Sequence, residues 1–420
     1  MGLMQVQDFT IPRLSNNIEV SVFDADSYLV KHTQLDYRLK ISHSTMQMLS
    51  LVDGHRSIEE IAQALSDKLQ KKLDVATVYH KLYTGDLANC GIVVTTRKIE
   101  PKKADGYIWL KFIILKARNI EWIARALSIL FKPSVFYFLF SAMLICLLAV
   151  LFFFLEGQAI FDRAIKVENL LVFYVFLLLS VFLHEMGHAS ACKRFGAKHG
   201  DLGFGFYLIF PVFYADVSDS WRLSRKQRII IDLAGIYMEL ILYTVISLIF
   251  LFTREDFLIQ LVFVRLLGTV TNLNPFLRFD GYWALSDSIN IPNLKGNSDK
   301  KLKAALQWLL GNTSSPLKNT LDYFMAAYAS ASWAFVFAFI GATLLFNSHS
   351  IIYFPINVYE FIYLTVGDWE KVSGNTLKAF VYSFTVPFMF YFMLFSWSSK
   401  IALSVKRKSS IQRKTPQKIE

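Results

Sequence analysis

Charged residues are scarce in this chain: they make up 18% of its 420 residues, whereas hydrophobic residues make up 54%. This balance excludes an ordinary soluble domain and predicts several membrane spans. Cysteine is scarce too, and Cys90, Cys146 and Cys192 form no CxxC pair. The scattered thiols therefore predict neither a disulfide framework nor a cysteine zinc site.

The opening residues, MGLMQVQDFTIPRLSNN, lack the basic region and apolar core of a secretory signal. No cleaved signal peptide is expected, and the first span is expected to act as an uncleaved anchor. The net charge is +11, but the basic residues cluster between apolar runs and near the C-terminus. This pattern indicates membrane topology and contact with anionic lipid rather than nucleic-acid binding.

Residues 28–100 have the mixed periodicity of a small soluble domain, and residues 1–27 precede it as an extension. One helix is predicted after Ser42 and another after Ser57, where Glu60 completes a capping box. A third helix is predicted near residues 75–87, and a strand-like segment at residues 91–94 follows it. Three short helices with a β element predict a winged-helix module.

Residues 101–133 are interpreted as a linker that carries an amphipathic helix at residues 119–131. That helix is expected either to lie on the membrane surface or to pack on the first domain, and the sequence leaves both open. The run at residues 351–366 is interrupted by Pro355 and Glu360, and we expect it to be re-entrant or interfacial. Six other apolar runs reach or approach the length of a span: residues 134–155, 170–191, 229–252, 257–273, 323–346 and 379–397.

Lysine and arginine concentrate in the loop after the second run, in the loop after the fourth run and in the tail, residues 406–420. By the positive-inside bias, these segments and the N-terminal domain face the cytoplasm. The predicted fold class is mainly α: a multi-pass helical protein of the cell membrane with about six spans in residues 134–405. A small winged-helix domain precedes them, both termini are cytoplasmic, and the basic tail contacts anionic lipid.

The second apolar run ends in HEMGHA, residues 184–189. On a helix, His184 and His188 share a face and can bind one ion, while Glu185 is placed to act as general base. Short motifs of this kind occur by chance, and a lone helical histidine is more often a satisfied polar group than a ligand. Polar groups are costly inside an apolar run, however, and their clustering here favours metal binding.

Two histidines leave a zinc ion short of the three protein ligands that catalytic sites typically use. The fourth run continues into NPFLRFDG, residues 274–281, which supplies the carboxylate of Asp280. The second and fourth runs cross the membrane in the same direction, so Asp280 is expected at the depth of the histidines. The sequence therefore predicts one catalytic Zn²⁺ held by His184, His188 and Asp280.

The two motifs resemble those of the site-2 protease family of intramembrane zinc metallopeptidases, which pairs HExGHA with NPxPxLDG two spans later. Here Leu277 replaces the second proline of that pattern and Phe279 replaces its leucine; neither position is a ligand or the base. The resemblance covers about residues 170–287. It implies a three-span catalytic core with the zinc ligands and base named above, and substrate binding at Asn274 and Pro275.

The stretch NLNPFLRFDGYWALSD, with YADVSDSW upstream, is similar to a branch of peptide zinc metalloproteases that often carries a PqqD-like domain. Residues 28–94 resemble such a domain, notably where DGHRS leads into IEEIA. The resemblance implies a winged-helix peptide binder that captures leader segments of ribosomally made, modified peptides. The alternative is a degenerate winged helix that only packs on the catalytic core.

The predicted reaction is peptide hydrolysis by zinc-activated water, with Glu185 carrying the proton. The substrate is a peptide or a transmembrane protein, and the leading expectation is maturation of a ribosomally made peptide beside modification or export proteins. One alternative is regulated intramembrane cleavage of a single-span regulator. Another is a non-catalytic peptide-binding or export scaffold, which would have no need of Glu185.

Residues 203–210 are expected to offer an edge strand to substrate in a re-entrant hairpin, or to form an ordinary interfacial loop. Glu239 and Arg265 lie at the same depth in the third and fourth runs, which predicts a buried ion pair. A polar wall of the substrate cleft is the alternative for these two residues. The remaining histidines lack ligand spacing and are expected on solvated surfaces: His32, His43, His55, His80, His199 and His349.

Overall fold

A computed structural model describes residues 11–24, 26–35, 37–101, 108–156, 169–207, 210–311 and 315–367. It also describes single positions at residues 384, 387, 388, 390, 391, 394, 395 and 398. The chain divides into two compact units. The first comprises residues 1–106, 114–202 and 215–292, and the second comprises residues 107–113, 203–214 and 293–420.

The first unit opens with an antiparallel sheet of β1 (Ile18–Asp24), β2 (Ser27–His32) and β3 (Tyr37–Ser42), in that order. β2 is central, and the adjacent residues Leu29 and Val30 are both buried, so its burial does not alternate as in a strand with one solvated face. β1 falls in the segment interpreted as an N-terminal extension. The sheet therefore begins before the predicted domain boundary at residue 28.

Four short helices follow this sheet: α1 (His43–Leu49), α2 (Ile58–Leu69), α3 (Val75–Tyr79) and α4 (Asp86–Asn89). The predicted starts of α1 and α2 are confirmed, because Ser42 caps the first and Ser57 with Glu60 forms the capping box of the second. The predicted third helix is divided by a π-helical turn between α3 and α4, and Val93 forms only an isolated bridge with Leu14.

The N-terminal elements have a hydrophobic core of their own, in which Ile61, Leu82 and Ile92 are almost fully buried. Every residue of that core lies between Leu14 and Val93. Burial of this kind is the main favourable contribution to the folding of a small domain. The assignment of the domain as a winged helix stays a prediction.

The first unit continues with five helices, and all but the first of them belong to the predicted catalytic core. They are α6 (Pro133–Glu156), α7 (Leu170–Arg194), α8 (Arg225–Thr253), α9 (Asp256–Asn272) and α10 (Asp280–Ser288). α8 is central: Tyr237 packs on Phe136 of α6, and Tyr243 packs with Phe176 of α7 and Leu261 of α9. These aromatic and aliphatic contacts bring α7, α8 and α9 together.

The helix α5 (Ala117–Leu127) packs its apolar side against α7. Ile120 and Ala124 are buried there beside Met186 and Ala189. The alternative in which this helix packs on the N-terminal domain is therefore wrong, because its apolar stripe is already covered by the helix that carries the HExxH motif. Its location at a membrane surface stays a prediction.

In the second unit, β4 (Ile108–Leu115), β5 (Leu202–Tyr207) and β6 (Phe210–Ala215) form a sheet in that order. The expectation that residues 203–210 offer a free edge strand is wrong. β4, from the segment interpreted as a linker, pairs with one side of β5, and β6 pairs with the other side. The edges of this sheet belong to β4 and β6.

The same unit contains α11 (Leu294–Leu309), α12 (Thr320–Ile352) and α13 (Phe354–Gly367). Asp322 of α12 forms an ion pair with Lys301 of α11 at 2.6 Å. α13 follows α12 within one apolar helical stretch, Thr320–Tyr363. The interpretation of residues 351–366 as re-entrant or interfacial stays a prediction. Pro355 is tolerated because it occupies the first turn of α13, where no intrahelical N–H bond is required.

Within the described ranges, three helical stretches are long and apolar enough to cross a membrane: Leu171–Arg194, Arg225–Thr253 and Thr320–Tyr363. A fourth arises if α5 and α6, which meet at 77°, together form one span. α12 exposes large apolar side chains such as Phe337 and Phe346, as lipid-facing helices do. The count of six spans stays a prediction, and residues 379–397 lie largely outside the described residues.

Phe23 of β1 attaches the N-terminal domain to the helical core of the first unit. Its ring is 3% exposed, stacks on Trp221 at 6.4 Å between centroids, and lies 4.3 Å from the guanidinium carbon of Arg228. Arg228 is itself buried and pairs with Asp287 of α10 at 3.0 Å. Stacking and cation–π contacts therefore attach this domain to Trp221 and to α8.

Candidate metal centre

The centre is assembled from the C-terminal half of α7 and the first turn of α10. His184 and His188 project from adjacent turns of α7, one above the other. Asp280 is the first residue of α10, which follows the turn after α9. All three predicted ligands lie together, with one ligand atom of each within 4.8 Å of the others.

The separations between the ligand atoms fit a zinc ion. His184 Nε2 lies 2.9 Å from Asp280 Oδ2 and 3.2 Å from His188 Nε2, and His188 Nε2 lies 3.6 Å from Asp280 Oδ1. In a tetrahedral site with bonds near 2.1 Å, ligand atoms are about 3.4 Å apart. The two histidines are buried and Asp280 is partly buried. Burial of three such polar groups costs free energy unless a shared cation compensates for the lost water.

His188 is held by the backbone of the neighbouring helix. Its Nδ1–H donates a hydrogen bond to the carbonyl oxygen of Ile231 on α8 at 2.7 Å. A carbonyl accepts only, so this bond fixes the proton on Nδ1 and leaves Nε2 as the metal-binding nitrogen.

Two glycines allow α7 and α8 to approach each other at the centre. A Cβ atom on Gly187 would lie 2.4 Å from the carbonyl oxygen of Ala234. A Cβ atom on Gly235 would lie 2.5 Å from His184 Nε2 and 2.6 Å from His188 Nε2. Gly235 therefore leaves open the space next to the ligand nitrogens, and its backbone forms a wall of the centre.

Glu185 is buried beside the ligands and is 8% exposed. The part that Gly235 plays at the centre was not predicted from the sequence. A signal for it exists, since a glycine inside an apolar helical run often marks a close approach.

Asn274 and Pro275 lie half-buried in the turn between α9 and α10. The Asn274 side-chain oxygen accepts the N–H of Phe276 at 2.8 Å and so stabilises this turn ahead of Asp280. Their predicted role in substrate binding stays a prediction.

The expectation that the remaining histidines are solvated is wrong at two positions. His32 is buried and bonds to Ser15 at 3.1 Å, and His199 is buried and pairs with Glu121 of α5 at 2.9 Å. Both have polar partners, which makes their burial tolerable.

The predicted ion pair between Glu239 of α8 and Arg265 of α9 is confirmed. Glu239 is fully buried and Arg265 is nearly so. A charge buried alone would be expensive, and the pair avoids that cost by joining the two helices.

A buried group of two histidines and a carboxylate, with a glutamate beside it and apolar helices around it, is typical of a membrane metallopeptidase. Comparison with known families matches residues 172–385, just over half of the chain, to peptidase family M50. The chain belongs to this family, which confirms the resemblance to site-2 proteases. It is a membrane protein, and family membership implies zinc.

The chain is also similar to the protein named "Putative peptide zinc metalloprotease protein YydH" from Bacillus subtilis (strain 168). The two are 32% identical over 115 residues, which cover 27% of this chain and 45% of that relative. The chain thus spans less than half of the relative's length. No solved structure matches the chain.

Proposed function

We propose that this protein is a membrane-embedded zinc metalloprotease with one catalytic Zn²⁺. The observation that supports this most strongly is the convergence of His184, His188 and Asp280 within 4.8 Å, next to the buried Glu185. Three protein ligands and an adjacent carboxylate are the parts that metal-assisted peptide hydrolysis requires.

A zinc ion in such a site acts as a Lewis acid on the scissile carbonyl and makes water a better nucleophile at neutral pH. Glu185 accepts a proton from the attacking water as the new C–O bond forms, and gives that proton to the leaving nitrogen as the C–N bond breaks. The products are a carboxylate and an amine, and no residue of the chain becomes covalently modified.

The substrate that we favour is a ribosomally made peptide, captured by the N-terminal domain before it is cut. β3 is an edge of its sheet, and a groove of about 610 Å³ runs beside it. The groove is lined by Lys40 and Ser42 of β3 and also by Ala76 and Lys81. An exposed strand edge next to a groove suits an extended peptide, which would add as a fourth strand.

We further propose a multi-pass location in the cell membrane with both termini in the cytoplasm, in line with the distribution of lysine and arginine between the apolar runs. The groove would then open to the compartment in which peptides are made. Modification or export proteins acting on the same peptide are the partners that this arrangement favours.

Expression of Glu185→Gln beside the wild type in the native host tests the proposal. Both proteins are purified in detergent, their zinc content is measured, and bound peptides are identified by mass spectrometry. A short precursor retained only by the variant supports peptide maturation, whereas a retained single-span protein supports regulated intramembrane cleavage instead. Identical peptide profiles with zinc in both proteins would overturn the assignment as a protease.

A further inference from the structure

The two histidines of the centre are oriented by different groups. His188 uses its Nδ1–H on the Ile231 carbonyl, whereas Nδ1 of His184 is buried and makes no hydrogen bond within the described part of the chain. This nitrogen faces Oε2 of Glu239 on α8 at 3.6 Å. A small rotation of the imidazole, moving Nδ1 by about 0.6 Å, would bring the pair to hydrogen-bond distance.

Glu239 is placed by donors from both neighbouring helices. Arg265 of α9 forms the ion pair with Oε1, and Thr269 of α9 donates to Oε2 at 2.8 Å. Ser180 of α7 donates to Oε1 at 3.3 Å and accepts from Arg265 Nε at 3.0 Å. This carboxylate is fully buried, and its position is therefore fixed by charge-assisted bonds rather than by solvent.

We propose that Glu239 is a positioning residue of the zinc centre, which accepts the Nδ1–H of His184 and so aims Nε2 at the metal. Ser180 and Thr269 hold the carboxylate in place, and Arg265 balances its charge. Metal-bound histidines generally donate their second N–H to a carboxylate or carbonyl, and Glu239 supplies for His184 what Ile231 supplies for His188. The inference rests on the zinc site of the proposed function.

A purely structural ion pair and a positioning carboxylate give different results when the two partners are changed separately. Glu239→Gln preserves size but removes the charged acceptor, so zinc affinity is expected to fall about 10- to 100-fold. Arg265→Gln leaves the carboxylate facing His184, so it is expected to lower the melting temperature while zinc affinity stays close to that of the wild type.

The double variant separates the two effects further. In Glu239→Gln, Arg265 is left as an unpaired buried cation, and the double variant removes that cation. The double variant is therefore expected to regain part of the lost thermal stability, while its zinc affinity stays low. Asp322→Asn is the matched control, because it breaks the ion pair with Lys301 on helices that carry none of the predicted ligands. It is expected to lower the melting temperature alone.

The experiment uses the full-length protein in detergent, with zinc affinity measured by chelator competition, thermal unfolding measured in parallel, and the visible spectrum recorded after Co²⁺ substitution. Support requires weaker zinc binding and an altered Co²⁺ spectrum in Glu239→Gln, with both near normal in Arg265→Gln. The positioning role is overturned if Glu239→Gln binds zinc as tightly as the wild type. It is also overturned if both single variants lose the same amount of zinc affinity.

His188→Ala separates this failure from failure of the zinc site. If the wild type and His188→Ala bind zinc equally well, the site itself is wrong and the inference is overturned with it. If His188→Ala loses zinc while Glu239→Gln retains it, the metalloprotease proposal is supported and only the role of Glu239 is overturned.

Discussion

Substitution of Gly235 by alanine tests whether the tight approach of α8 to the ligand nitrogens matters for metal binding. The added methyl carbon would lie 2.5 Å from His184 Nε2 and 2.6 Å from His188 Nε2, whereas ordinary contacts begin near 3.4 Å. Relief requires shifts of about 0.9 Å, roughly four times the deviation of about 0.2 Å that metal–ligand distances tolerate. The imidazoles can rotate away in the metal-free protein but not while they bind zinc, so the strain opposes metal binding.

Overpacking of this kind typically costs about 1–3 kcal/mol. If that cost falls on the metal-loaded state, zinc affinity decreases roughly 5- to 150-fold, because 1.4 kcal/mol corresponds to a factor of ten. Chelator competition on the purified protein measures the change directly. Activity should fall in parallel at limiting zinc and recover in part when zinc is in excess.

Gly341→Ala is the matched control. It changes a glycine inside α12 where an added Cβ meets no heavy atom of the described residues within 4 Å. It is expected to leave zinc affinity unchanged. If Gly235→Ala binds zinc and unfolds like the wild type, the close approach of α8 to the centre is wrong, and so is the argument that Gly235 shapes it.

Three further predictions concern the base, the domain contact and acid stability. Glu185→Gln is expected to retain zinc while peptide hydrolysis falls about 10²- to 10⁴-fold, the usual contribution of a general base; loss of zinc would contradict this role. Phe23→Ala removes a buried ring from the contact with Arg228 and is expected to lower the free energy of unfolding by about 3–5 kcal/mol. The loss should appear as a lower melting temperature and as faster proteolytic release of the N-terminal domain. An unchanged proteolytic digest would contradict this prediction. Two backbone N–H groups lower the pKa of Asp53, so the stability it contributes is present above its ordinary pKa of 3.8 and is lost as the pH falls through the lowered value. Asp53→Ala should therefore weaken the dependence of domain unfolding on acid pH, and an unaltered pH profile would argue against the hydrogen bonds.

The features that the sequence could predict depend on local rules or on strong energetic penalties. The HExxH spacing places two histidines on one helix face, the capping box at Ser57 is closed within four residues, and the cost of an isolated charge in an apolar run pairs Glu239 with Arg265. Each of these inferences needs only helix geometry or the free-energy cost of burying a charge, and contacts between distant segments do not change either.

The features that the sequence could not predict depend on contacts between distant segments. Pairing of β4 with β5 turned an expected edge strand into a central one, and packing on α7 decided where α5 buries its apolar side. The proximity of Glu239 to His184 likewise needs the relative rotation of α7 and α8, which apolar periodicity does not determine.

The attachment of the N-terminal domain through Phe23 has a consequence for where a captured peptide would be cut. If the contact with α8 holds the domain in place, its groove stays at a constant distance from the predicted zinc ligands beside that helix. An extended chain advances about 3.3 Å per residue. A peptide held in the groove would therefore be cut at a fixed number of residues from the captured segment, whatever side chain stands there. The cleavage site would then be selected by its distance from the captured segment. Residues inserted between the captured segment and the cleavage site would shift cleavage by the same number of residues.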